Sequence, residues 1–542
     1  MKDIYFSFLV FILIFTLYLF TGYPTVSPYR DSGDLAAASY SLGIAHPPGY
    51  PLYTLLGKIF YCLIPFASAG YRVNLMSIFF AGLCCAFSFL IVKTACKSIV
   101  AGIISVLFLA SSPAFYSLAH VSEMYSMSAA FTALIFLLIL KANNSRDMYL
   151  VFLILALSLG SHPAMSLIIP GVIIFLFLRR NELNFSVRSL AVAVIFFLAG
   201  FLIFTYFPVR SCANPVLEWG RTNTFEGFFR LLTRADYGGL KLHPEQSKFH
   251  WTLEIFAAQN VLFVKSLVRQ FGIPGVIGGF LGIILFFKNR LWWPAFTGLI
   301  LTGPLFFVLS NLPLKEKTTL PILEPHIVTP NFIFAVFIGI ISGYLIQSGI
   351  KKLLSSTFII AIAVTPLFIF AVGFEKQNHR NSYFSYDRAQ NIFRTMSKDS
   401  LLYDPDDSTA FIVSYFRLAE GKRKDIKPVV FFRTHWGYER LREKHPELFQ
   451  GKDILTAQEF IREIFSFNID KRKIYTDIVT KIPGEYKSYP VGVLYIARMP
   501  EKKLPREFLG QSELLFNEIY TYRGNYNTSL YEDFFISRMI YY

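Results

Sequence analysis

Runs of roughly 20 apolar residues, the length that carries a helix across a ~30 Å hydrocarbon core, recur along this chain from residue 4 to about residue 373. Inside lipid a segment must satisfy its own backbone N–H and C=O groups, so runs of this kind are helices. A soluble fold is excluded, because 54% of the residues are hydrophobic and only 16% are charged, too few to coat the surface. Run length and flanking charge predict about eleven spans, near 4–22, 73–92, 99–118, 125–140, 148–161, 164–178, 189–208, 271–287, 291–311, 329–348 and 354–373. The short pair joined at Ser161-His162-Pro163 also reads as one broken element. Segment 52–68 contains Lys58 and Pro65 and reads as an amphipathic helix lying in the interface. Residues 4–22 lack a small-residue cleavage site and are expected to stay as the first span. Cys62, Cys84, Cys85, Cys96 and Cys212 lie in or near spans, with neither metal-type spacing nor a disulfide framework.

Alternating the sides separates two kinds of loop. One face receives Lys2, Lys93, Lys97, Lys141, Arg146, Arg179, Arg180, Arg188, Lys288, Arg290, Lys351 and Lys352 in short loops, which the positive-inside rule assigns to the cytoplasm. The formal charge of +16 is thus loop bias with attraction to anionic membrane lipid, not a nucleic-acid footprint. The other face receives the long loops 23–72 and 209–270, the turns near 119–124 and 312–328, and the tail from residue 374. All nine histidines (46, 120, 162, 243, 250, 326, 379, 435 and 445) fall on that outer side. So do most acidic residues of the membrane part, among them Asp31, Asp34, Glu123, Glu218, Glu245, Glu316 and Glu324. Titratable groups gathered at one mouth point to chemistry there rather than to a path through the bilayer.

The richest stretch is RDSGDLAAASYSLGIAHPPGYPLY, starting at residue 30. Asp31 and Asp34 stand about one helical turn apart, and Gly33 between them leaves room for a ligand to approach closely. Two adjacent carboxylates raise the pKa of one, as suits a base that takes a proton from an alcohol. They could equally hold a divalent cation against a diphosphate, and Asp34 could simply cap a helix opening at Leu35. Pro47, Pro48, Gly49 and Pro51 stiffen the next turn, so that His46 faces the same mouth and could donate to a phosphate or position an acceptor. In HVSEMYS, His120 and Glu123 are expected on one helix face, with Glu123 backing the aspartates. His162 interrupts an apolar pair, a break of the sort that lines a cavity. Arg210 leaves a span where a phosphate head group would lie, and Arg221, Arg230 and Arg234 add charge nearby. Trp219 suits stacking on a sugar or anchoring at the interface.

The tail changes composition. SLLYDPDDSTAFIVSYFRLAEGKRKDIKPVVFF (400–432) reads as strand, acidic turn, helix, basic turn and strand, which predicts a small external α/β domain over 374–542 behind a membrane domain over 1–373. YDPDD could bind a cation but reads more simply as a solvated turn. No Walker A loop, GxGxxG, HExxH or GxSxG occurs in a supporting context.

Together DSGDLAAASYSLGIAHPPGYPLY, SHPAMSL, PVRSCANPVLEWG and TFEGFFRLLTRADYG resemble a large family of GT-C membrane glycosyltransferases with members assigned as protein O-mannosyltransferases. The likeness covers most of residues 25–240 and is weaker to about 420. It implies a polytopic α-helical GT-C-like fold, a polyprenyl-phosphate-linked sugar donor, a protein or glycan acceptor, and a catalytic acid in the first external loop, which maps onto Asp31 and Asp34. Many members carry Glu where this chain has Asp34, which leaves open which carboxylate is the base. The long C-terminal repeat region of the eukaryotic relatives is not evident, which leaves the acceptor open as well. The expected reaction is an inverting transfer on the external face, with the donor phosphate held by Arg210 and by Arg234 or His46. Arginines can take the leaving charge without a metal, so a cofactor is not required, though a divalent cation is compatible. Short loops and the lack of a retrieval signal favour a bacterial inner membrane. A transporter or flippase of lipid-linked sugars would need mid-membrane polar residues and inverted repeats, which are not evident. A non-catalytic assembly subunit is the remaining alternative.

Overall fold

A computed structural model describes residues 2–28, 30–239, 252–312, 322–347, 352–429, 435–451 and 456–502. His243, His250, Glu245, Glu316 and Lys351, together with the end of the tail from residue 503, lie outside the described residues.

The membrane part runs α1 (Lys2–Thr21), α2 (Ser32–Ser41), α3 (Pro51–Leu63), α4 (Ala69–Cys96), α5 (Ile99–Ser111), α6 (Pro113–Ala119), α7 (Tyr125–Lys141), α8 (Ser145–Leu159), α9 (Ile169–Arg179), α10 (Val187–Phe201), α11 (Tyr206–Cys212), α12 (Phe225–Leu232), α13 (Leu253–Leu285), α14 (Trp292–Thr302), α15 (Pro304–Ser310), α16 (Val328–Gln347) and α17 (Lys352–Gln377). Serine, threonine and asparagine open several of these helices. Ser98 caps α5, Ser186 caps α10, and Asn144 with Asp147 forms a reciprocal capping box on α8. By length and apolarity seven helical segments among the described residues qualify as spans, or eight if α5 and α6, bent by 71° at Ser112-Pro113, count as one. All eleven predicted segments are helical, but α7, α8 and α9 are shorter than a full span. The break predicted at Ser161-His162-Pro163 is present: α8 ends at Leu159, and a 3-10 turn, Pro163–Ile168, leads into α9.

The two ends of the bundle differ chemically, as the alternation of loops predicts. At one end Lys93 pairs with Asp3, Arg179 pairs with Glu182, and Arg290 donates to the Ala142 carbonyl and reaches Glu182. At the other end α2, the turn before α3, the α6–α7 connection and the start of α16 converge.

In the tail, the predicted strand–helix–strand order appears after α18 (Phe384–Thr395) as β1 (Leu401–Tyr403), α19 (Asp407–Leu418) and β2 (Lys427–Val429). The chain continues with α20 (His435–Lys444), α21 (Ala457–Asn468), β3 (Ile474–Thr476), β4 (Lys487–Val491) and β5 (Leu494–Arg498). The sheet order is β2-β1-β3-β5-β4, with β2, β1 and β3 parallel and β5 antiparallel to both of its neighbours. One core of the tail is shared with the membrane part: Ala36 and Ala37 of α2, Val26 and Ala69 pack with Ile412, Tyr415, Phe416 and Ile496. The contact between α2 and α19 is so close that a Cβ at Gly33 would lie 2.5 Å from the Phe411 carbonyl oxygen. The room expected at Gly33 for a ligand is therefore taken by backbone from the tail.

Candidate active site

The first turn of α2 carries both aspartates, but in unlike surroundings. The helix begins at Ser32, one turn earlier than the expected opening at Leu35, so Asp31 occupies the cap position and makes no side-chain cap bond there. A carboxylate from a distant segment does that work, because Glu123 Oε1 accepts the Asp31 N–H at 2.9 Å. Asp34 lies inside the first turn and is 1% exposed. Its Oδ2 accepts the His46 backbone N–H at 3.0 Å and His46 Nδ1 at 2.8 Å, and its Oδ1 accepts Trp219 Nε1–H at 2.8 Å. The opposite ring nitrogen, His46 Nε2, lies 3.2 Å from Asp31 Oδ2. His46 thus bridges a sealed carboxylate and an open one, the side chain of Asp31 being 36% exposed.

Local sequence explains this placement. The turn at 46–49 closes with the Gly49 N–H on the His46 carbonyl, and Gly49 takes φ +90° against the Phe207 ring, a conformation that suits glycine. Loop 213–219 is laced to the same turn by Ile44 N–H on Leu217 O at 2.9 Å and Trp219 N–H on Ile44 O at 3.2 Å, which brings the indole to Asp34. Arg30, Tyr50 and Arg234 all hold positive φ without being glycine, and strain of this kind gathers at working sites.

The electrostatics follow from the contacts. Burial alone would push His46 down, but Asp31 and Asp34 on either side carry it well above its usual value, so it is held as an imidazolium. Burial works to raise Asp31, and His46, Arg30 and Arg234 more than offset it, which keeps that carboxylate ionised. A raised carboxylate is expected at this mouth, and Asp31 is not it. It is Glu123, pushed up to about 8 by burial and then by the charge of Asp31. An acid whose folded value lies above its unfolded one loses stability as pH climbs between them, here from 4.5 to about 8. Glu123→Gln should accordingly gain melting temperature relative to the parent as pH rises from 5 to 8. A difference that stays flat across that range would show that Glu123 is not protonated in the folded protein.

Several other predicted residues also join this mouth. Arg234 acts on Asp31, Tyr50 and His162 through its charge. His162 uses Nδ1 to accept the Ala164 N–H at 3.0 Å and lies beside Tyr50, Tyr125 and His326. Two others do not fit their assigned roles. The chain is non-helical between Ala119 and Tyr125, so His120 and Glu123 do not share a helix face. His120 turns instead to Thr21, Tyr18, Tyr116 and His379. Arg210 spends its Nε–H on the Leu42 carbonyl at 2.7 Å, bracing α11 against the end of α2. A divalent cation does not fit between the aspartates, because His46 fills the space and Asp34 has both oxygens engaged. Among the described residues no cluster of three metal-ligating side chains occurs, including at YDPDD.

Sequence reasoning missed Arg30, which forms a buried ion pair with Glu324 at 3.1 Å. It also missed Tyr50 and Tyr125. Glu324 and His326 were flagged only as outer-face residues; the available signal was their place at a span start with Pro325 between them. An apolar groove of about 170 Å³ opens beside Tyr50, lined by Pro48, Pro51, Leu159, Phe201, Phe204 and Leu232 among others. A second cleft, of about 410 Å³, lies between Asp34, Trp219 and the tail.

This fold is that of the GT-C membrane glycosyltransferases. It aligns with ArnT from Cupriavidus metallidurans bound to undecaprenyl phosphate at a TM-score of 0.54 and 11% identity, over 92% of this chain and 99% of that one. It aligns with the Archaeoglobus fulgidus oligosaccharyltransferase at 0.51 and 11% identity, over 91% and 74%. More particularly, residues 31–185 match the family model described as the protein O-mannosyl-transferase TMEM260 N-terminal domain. The protein is 25% identical to protein O-mannosyl-transferase tmem260 of Dictyostelium discoideum over 89% of this chain, and 27% identical to protein O-mannosyl-transferase TMEM260 of Mus musculus over 77%. It spans 64% and 60% of the length of those two relatives. The comparisons thus return protein O-mannosyl-transferases, the group that the four sequence segments resemble.

Proposed function

We propose that the chain is an inverting glycosyltransferase that moves mannose from a polyprenyl-phosphate carrier to a protein Ser/Thr hydroxyl on the external face of a bacterial inner membrane. The observation that carries the reading is the Asp31–His46–Asp34 arrangement, with one carboxylate open and ionised, opening toward Arg234 beside an apolar groove. The carrier's isoprenoid chain would lie in the groove at Pro48, Tyr50 and Phe204, with its phosphate near Arg234. Asp31 would take the proton of the acceptor hydroxyl as that oxygen bonds to the anomeric carbon. The carbon–oxygen bond to the phosphate breaks on the opposite side, and the phosphate leaves with the electron pair toward the guanidinium. Asp34 and Trp219 fix His46, which in turn holds Asp31 in place and ionised. The protonated Glu123 adds no second negative charge beside the departing phosphate. Clustering of the titratable groups opposite the Lys/Arg loops supports the external placement. The test is to incubate the purified protein in lipid nanodiscs with polyprenyl-phosphate mannose and Ser/Thr peptides, then determine the anomeric configuration of the product by NMR. Inversion relative to the donor is expected; retention, or no transfer by the intact protein, defeats the reading.

A further inference from the structure

The cleft between loop 213–219 and the tail carries a charge imbalance that the transfer chemistry leaves unused. Its walls include Asp34 and Trp219 on the catalytic side and Phe411, Arg417, Arg440 and Lys444 from the tail. Phe411 lies over His46, with ring centroids 6.0 Å apart, so the cleft adjoins the proposed base. The two carboxylates of the cleft are already engaged: Asp34 with His46 and Trp219, and Glu218 with Arg440 and Ser211. Arg440 is balanced by Glu218 and Glu443. Arg417 and Lys444 have no such ion pair among the described residues, and carboxylates reach them only at longer range, Asp425 for the first and Glu218 and Glu443 for the second. Among the described residues Arg417 donates to the Arg423 and Lys424 carbonyls, and Lys444 to the Pro215 and Val216 carbonyls. Among the described residues neither has a carboxylate within 4.0 Å.

Resting on the transfer reading above, we propose that this cleft seats the acceptor polypeptide and selects segments with acidic side chains beside the receiving Ser or Thr. Two cations whose direct hydrogen bonds go to neutral carbonyls, and whose nearest carboxylates are shared with Arg440 and Arg423, leave positive potential in a half-closed cleft that a visiting carboxylate would neutralise. Burial of the two cations agrees with this. It lowers Arg417 to about 10 and, with the neighbouring Arg440, Lys444 to about 8, a displacement that an incoming carboxylate would reverse.

The experiment uses the full chain in nanodiscs, polyprenyl-phosphate mannose, and three matched Thr peptides flanked by Asp, by Gln or by Lys. The Asp peptide is expected to exceed the Gln peptide about tenfold in kcat/KM, and that ratio should shrink as salt rises. Lys444→Glu should turn the preference toward the Lys peptide, with Arg417→Glu as a second reversal if the first variant fails to fold. Equal use of the three peptides, or a preference that the reversals do not alter, overturns the charge assignment while leaving peptide transfer intact. Transfer to an added glycan but to none of the peptides overturns it as well, and identifies a sugar acceptor. No transfer to any acceptor by the parent protein removes the transfer reading itself.

Discussion

Asp31→Asn is expected to lower transfer by about 10²–10⁴-fold, the contribution of a positioned general base, while expression, melting temperature and donor binding stay near parental values. The side chain is the exposed member of the pair, and the amide keeps its shape and one hydrogen-bond acceptor for His46. Asp34→Asn should behave differently. Asp34 is buried and accepts three N–H groups, so the amide places an NH₂ against one of these donors and unseats His46 and Trp219. It is expected to lose both activity and thermal stability. The two variants, assayed for mannosylated peptide and melted in parallel, separate base from support. Equal loss of stability in both would remove the distinction drawn between them, and full activity in Asp31→Asn would end the mechanism.

Glu324→Gln carries the largest expected effect on stability. Arg30 and Glu324 meet with side chains only 4% and 5% exposed. Taking the charge from one partner of a buried pair costs about 3–5 kcal/mol, since the other charge stays desolvated. A marked fall in unfolding temperature in detergent should accompany the substitution, with loss of transfer following because Arg30 immediately precedes Asp31. An unchanged unfolding temperature would show that the pair is not a structural tie.

The apolar periods placed the helices well, because lipid leaves a long apolar run no other option, and the tail's strand–helix–strand order was equally legible. The first loop disclosed Asp31, Asp34 and His46 because they lie within one short stretch whose prolines advertise a rigid turn. The division of labour between the aspartates was hidden. It depends on Trp219, 185 residues away in the chain, and on Glu123, 92 residues away. A shared face for His120 and Glu123 requires a helix running through 120–123, whereas α6 ends at Ala119 and α7 begins only at Tyr125. Arg210 stands at a span end, as a phosphate ligand would, but its Nε–H braces the Leu42 carbonyl at the end of α2, a contact 168 residues away in the chain. The Arg30–Glu324 tie spans 294 residues and leaves no local trace.

The contact between Gly33 and the Phe411 carbonyl bears on how such a chain could diversify. A tail seated backbone-to-backbone on the helix that bears Asp31 cannot be exchanged as an independent cassette. Grafting a foreign C-terminal region would have to bring a matching α2 along, or it would shift Asp31, the base of the proposed transfer, out of its place beside His46.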